Sequence, residues 1–324
     1  MRRALAAVLV AATSLAACSL GGGSSASSTP RSTDRPTTTE TAPAVPVLPA
    51  PAPYVPLPGE PEPEAKRLAA EVLQAIGTYP FGAGDVPAAI ERAGEGIDPT
   101  LIAAAADLLV PDAAASVEIV YPQLGGLTAD KASVMVVFRQ TLRRTADDED
   151  SVVRTADVRL GRVGETWTVT SIESMGGEPP LAPTLSPVGE AVLDNPRIEL
   201  PDSARWDIEA GRIDDRVLQL LGALSTSRSL SVTVLASGHP YNVFESASVS
   251  NHSVGRGVDI WAVDGVPVIE QRDPSGALHQ LVEDLLARGA VTELGSPWDL
   301  DGVGAGVSFT NTVHEDHLHL AFDD

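Results

Sequence analysis

The sequence predicts an α+β protein with two folded domains. Three observations carry this. The length of 324 residues exceeds what one core usually serves. Apolar residues at helical spacing give way to period-two alternation in the first half, and helices and strands return together in the second. A proline-containing stretch of weak periodicity separates the halves.

The N-terminal residues set the compartment. Arg2 and Arg3 precede an apolar run from Ala4 to Val10, and Leu15-Ala16-Ala17-Cys18 ends the segment at small residues. A basic head, a short apolar stretch and small residues describe an export signal over 1–18, too short to span a bilayer comfortably. The segment resembles the lipobox of bacterial lipoproteins, which implies that Cys18 is the lipidation site and that lipid alone anchors the protein to the outer face of the cytoplasmic membrane. Residues 19–63, rich first in Gly, Ser and Thr and then in Pro and Ala, read as a disordered tether.

Residues 64–177 read as an accessory α+β domain. Leu68, Val72, Leu73 and Ile76 predict a helix that stops before Gly77, and Asp98-Pro99 starts a second one. Alternation then predicts strands around 117–121, 133–142, 152–160 and 166–172. Helices followed by an antiparallel meander resemble the cystatin-like or nuclear-transport-factor-2-like cone. Without histidine or cysteine, this segment gives little reason to expect catalysis. Residues 178–196 read as a linker.

Residues 197–324 form the second domain. Asp214 is placed as the N-cap of a helix carrying Val217, Leu218, Leu221 and Leu224; 230–235 is a strand; Leu278, Val282 and Leu285 mark another helix ending at Gly289. Strands flank that helix at 258–263 and 317–322.

Charge and cysteine content restrict the chemistry. With 44 acidic against 22 basic residues, the formal charge is −22, so nucleic acid is excluded as a partner, as is a bilayer surface beyond the lipid anchor. One cysteine excludes a disulfide framework and any multi-cysteine zinc site. No Gly-x-Ser-x-Gly elbow is present, and Gly302 to Gly306 lacks the strand–turn–helix setting of a dinucleotide loop.

All six histidines lie from His239 onward. In His317-Leu318-His319-Leu320-Ala321-Phe322, alternation sends Leu318, Leu320 and Phe322 into the core and leaves His317 and His319 together on the other face, with Glu315 in phase. Asp259 stands opposite Val258 and Ile260 in the same manner. His252, Asp259 and one histidine of the last strand would make a zinc set without thiolate, and Gly255 and Gly257 allow a tight loop between the first two. His279, inside a helix, reads as a packing or surface residue.

The stretch SNHSVGRGVDIWAVDG from Ser250 resembles the Ser-x-His-x-x-Gly-x-x-x-Asp motif of the LAS group of zinc peptidases, and the His-x-His of HEDHLHLAF resembles its second motif. The further spacing His314-x-x-His317-x-His319 is similar to that of penicillin-insensitive murein endopeptidases, and the likeness covers roughly residues 229–324. It implies a LAS-like antiparallel sheet with packed helices, Zn2+ held by His252, Asp259 and His319, and for His317, with His314 beside it, either a catalytic role or one supporting the metal ligands. The general-base position of D-Ala-D-Ala peptidases falls at Asp316, with Glu315 the neighbour that would serve instead. Their carboxylate-binding arginine has no counterpart in Ser237-Gly238-His239-Pro240-Tyr241. His239 and Arg256 are candidate substrate contacts. The expected activity is hydrolysis of peptidoglycan peptide stems, by a D,D-carboxypeptidase or endopeptidase. The alternative is a non-catalytic lipoprotein that binds wall peptides or a protein partner through a degenerate fold of this kind. The sequence is silent on oligomeric state.

Overall fold

A computed structural model describes residues 47–302, 304 and 306–324. The expected export signal, Cys18 and the first part of the expected tether lie outside the described residues. Among those described, no helix is long and apolar enough to cross a membrane.

The fold is α+β, built as two layers. In the first, helices α1 (Pro63–Gly77), α2 (Val86–Ala93) and α3 (Pro99–Ala104) precede a four-stranded antiparallel meander, β1 (Ala114–Leu127), β2 (Lys131–Arg143), β3 (Glu149–Val163) and β4 (Thr166–Ser174). Asp98 caps α3 as its sequence demands, accepting from the Thr100 N–H at 2.8 Å. Ala65, Ala69, Leu73 and Ile76 of α1 pack on Val117, Val134, Val136 and Phe138 of the sheet.

The second layer contains α4 (Pro187–Leu193), β5 (Ile198–Glu199), α5 (Asp202–Glu209), α6 (Asp215–Ser225), β6 (Leu230–Val234), β7 (Gly257–Val263), β8 (Val266–Pro267), α7 (Ala277–Ala287), β9 (Glu293–Gly295), β10 (Ser308–Phe309) and β11 (Leu318–Ala321). Its sheet runs β10-β9-β11-β7-β6-β5, with β8 paired to β7. The central pairs are antiparallel, but β10 and β5 join parallel at the two edges, so the sheet is mixed rather than purely antiparallel. Val217 and Leu221 of α6, Val282 of α7, and Leu318 and Leu320 of β11 share one core.

Two expectations need correction. The segment read as a linker contains α4, because Ser186 caps it and Gly189 and Val192 are buried. The tether does not extend unstructured to residue 63. The described part, from Val47, lies along the first layer, where Arg143 and Ser116 of the sheet and Gln74 of α1 donate to the carbonyls of Val47, Pro49 and Ala52. Proline removes donors but leaves every carbonyl, and its fixed φ lowers the entropy lost on ordering.

The layers are not independent beads. The described residues pack as one compact unit, and β2 is buried from Ala132 through Phe138 without alternation, because both of its faces are covered. Thr155 of β3 donates to the Thr233 carbonyl of β6 at 2.6 Å, and Tyr121 of β1 stacks on Trp261 of β7 with ring centroids 4.8 Å apart.

Candidate metal centre

β7 and β11 pair so that His319 lies directly across from Asp259. Both face away from the core that Val258, Ile260, Leu318 and Leu320 fill. His252 reaches them from a single 3₁₀ turn, and two glycines make that possible. Gly255 has φ +73°, and a Cβ there would come within 1.9 Å of the Arg212 carbonyl. A Cβ on Gly257 would press on the His252 ring at 3.0 Å.

Three donor atoms converge. His252 Nε2 is 3.1 Å from Asp259 Oδ1 and 3.1 Å from His319 Nδ1, and His319 Nδ1 is 2.9 Å from Asp259 Oδ1. Ligands about 2.0–2.1 Å from a tetrahedral ion stand roughly 3.3 Å apart, close to these separations. The tautomer of His252 is set by Leu235, whose carbonyl accepts from Nδ1 at 2.8 Å. In the neutral ring this turns the Nε2 lone pair toward Asp259 and His319, where a cation would be held between them. Burial alone would disfavour the charged His319 ring, but its hydrogen bonds to Asp259 and Glu293 prevail and raise its pKa to about 9. A proton and a metal ion compete for the same position.

His239, His252 and Asp259 also offer ligand atoms within 4.8 Å of one another, so this cluster could hold a metal ion. The ring planes argue for His319 as the third ligand. His239 lies flat against His252, with centroids 4.2 Å apart and planes 14° from parallel, so their in-plane lone pairs run side by side. His252 and His319 are inclined by 50°. His239 donates from Nδ1 to its neighbour's carbonyl, Pro240 O, at 2.8 Å, and burial together with His252 holds its pKa well below the ordinary value.

His317 stands beside the set, its Nε2 3.8 Å from Asp259 Oδ2. Its Nδ1 donates to Asp316 Oδ1 at 2.7 Å. Asp316 itself is sealed off: its other oxygen accepts from Lys66 Nζ at 2.6 Å and from the Leu124 N–H at 2.9 Å. Burial pushes its carboxyl up, yet Lys66 and His317 more than offset that and hold it below the ordinary range. The general-base position therefore does not face the open site. Glu315 points elsewhere too, pairing with Arg272 at 2.8 Å near the surface.

The site opens into a cleft of about 1070 Å³ between the layers, floored by Asp259, His317 and His319 and walled by Gly125, Gly126 and Phe244 among others. His314 lines it, its ring 5.1 Å from that of His317, and burial together with His317 keeps its pKa well below the usual value. Arg256 lines it as well, paired with Asp324, while its Nε is buried with no hydrogen-bond partner among the described residues. His279 is remote, stacked edge-on against Trp298.

Sequence reasoning missed three residues. Glu293 of β9 faces His319 Nε2 at 3.4 Å, and this contact holds its carboxyl below the usual range. Gln123 of β1 donates to Asp259 Oδ2 at 2.6 Å. Lys66 of α1 grips Asp316. None belongs to a local motif; only the tertiary packing brings them here. No family model, curated protein or solved structure matches the chain.

Proposed function

We propose that this chain is a zinc-dependent hydrolase of peptide bonds, acting on the peptide stems of the bacterial cell wall. The observation that carries the reading is the convergence of His252, Asp259 and His319 beside His317 on the floor of an open cleft. Two neutral imidazoles and a carboxylate are a donor set that suits zinc and leaves a position for a reactant. Zinc, when bound, supplies Lewis-acid polarisation and a water of lowered pKa.

The remaining work falls to the chain's own side chains. Asp316 holds the Nδ1 proton of His317, so Nε2 is the basic atom and faces the site. From there His317 takes a proton from the attacking water and returns it to the leaving amine, the role that Asp316 and Glu315 are not placed to fill. Arg256 flanks the cleft as a contact for the substrate's carboxylate, and His239, whose Nδ1 proton is held by Pro240, offers Nε2 as an acceptor for a substrate N–H. The wall location rests on the export signal and the lipobox-like Cys18, which would tether the enzyme outside the membrane.

The seclusion of Asp316 favours one second reading: a cleft that binds wall peptides without cutting them. Residues 47–324 loaded with zinc and incubated with purified peptidoglycan fragments distinguish the two. New amine termini detected by mass spectrometry support the hydrolase; fragments that bind but stay intact for a day support the binding module.

A further inference from the structure

We propose that Lys66 and Gln123, both from the layer without histidines, are positioning residues of the metal centre. Lys66 orients His317 through Asp316, and Gln123 restrains Asp259 so that a single carboxylate oxygen is left for the ion. The proposal rests on reading the site as a metal centre, and it makes the first layer part of the site rather than a spacer.

The contacts form a continuous buried chain. Glu60 accepts from Lys66 and, at 2.9 Å, from the Tyr121 hydroxyl. Lys66 holds Asp316 at 2.6 Å, and Asp316 holds His317 at 2.7 Å. Glu60, Lys66, Asp316 and His317 are each at most 6% exposed. Burying this many charges gains little stability over apolar packing of similar volume, so stability alone does not account for the cluster. Its far end is a ring nitrogen 3.8 Å from Asp259, where orientation decides which atom takes a proton.

Gln123 acts on the other side. It is fully buried, and its amide nitrogen donates to Asp259 Oδ2 at 2.6 Å, while Oδ1 faces His252 and His319. An oxygen engaged by an amide N–H is a poor second ligand, so the carboxylate is directed to bind through Oδ1 alone. The Tyr121–Trp261 stack, two residues from Gln123 and two from Asp259, fixes the distance between the two strands.

The test uses residues 47–324 with Gln123→Leu, Lys66→Met and Lys66→Arg, reading zinc affinity against a chelator, the His317 tautomer by nitrogen NMR, and kcat and KM separately. Gln123→Leu is expected to weaken zinc binding about 10- to 100-fold with the fold intact. Lys66→Met is expected to keep one zinc per chain, lose the single Nδ1–H tautomer of His317 and lower kcat with KM unchanged, and Lys66→Arg to restore both. Should Lys66→Met fail to fold, Asp316→Asn, which leaves Lys66 paired with Glu60, gives the same readouts. Wild-type zinc affinity in Gln123→Leu, or an unchanged tautomer in the Lys66→Met or Asp316→Asn protein, overturns the proposal. A wild-type protein that binds zinc but hydrolyses nothing removes the peptidase reading alone, since affinity and tautomer still decide this one.

Discussion

His319 and Asp259 face each other across paired strands, and Nδ1 of one is 2.9 Å from Oδ1 of the other. An antiparallel pair thereby places an imidazole and a carboxylate together without a loop, and the pair needs only His252 to become a three-donor set. Ring orientation makes a sharp distinction here. Zinc is expected to raise the melting temperature of His239→Ala as it does that of the wild type, and to leave His319→Ala unmoved. Scanning calorimetry with and without zinc reads both, and a zinc response lost in His239→Ala would put that residue among the ligands.

His317 is expected to matter for turnover and not for metal retention. His317→Gln should keep its zinc while kcat falls by about 10²–10⁴, the usual worth of a positioned acid–base group. Stopped assays on a fluorogenic stem peptide, paired with metal analysis of the same sample, check it. Near-normal kcat would transfer the role to another titratable group lining the cleft, Glu293 or His314.

The loop after β6 reaches back to the first sheet through Phe244, which sits against Gly126 and under the Arg159 guanidinium, 5.0 Å from its ring centre. A Cβ on Gly126 would lie 2.2 Å from the Phe244 ring. Gly126→Ala should therefore push the loop outward, raise KM and speed proteolytic nicking within 241–250, as should Phe244→Ala. Unchanged proteolysis in both would mean that Phe244 does not hold the loop.

Asp214 supplies a pH-dependent check on the fold. Its carboxylate caps α6 by accepting from the Arg216 N–H at 2.8 Å, and the Arg216 side chain holds its pKa below the ordinary value. A depressed pKa contributes stability above the unfolded value near 3.9, lost as pH falls through the folded value. Asp214→Ala is thus expected to cost about 1 kcal/mol at neutral pH. The gap should close as pH drops below about 4. Denaturant melts at several pH values measure it.

The sequence made local features legible and cross-chain ones not. Alternation in His317–Phe322 correctly separates Leu318 and Leu320 from His319, and Gly255 and Gly257 mark the close approach of His252. The N-caps at Asp98 and Asp214 are visible because capping is a contact within a few residues. Lys66, Gln123 and Glu293 carry no such mark: their partners lie 250, 136 and 26 positions away. Asp316 illustrates the limit most clearly. Its place in the motif suggests a base, and only the packing of α1 reveals that its charge is spent on Lys66. The proline-rich segment misleads for a related reason, since composition does not show the sheet on which it lies.

The most direct test of the account is the zinc content of residues 47–324 after dialysis against trace metal, measured beside His252→Ala and Asp259→Ala. One zinc per wild-type chain, absent from both variants, is the expected result. Wild-type protein that holds no zinc, or variants that hold as much as the wild type, would contradict the claim that these residues form a metal centre.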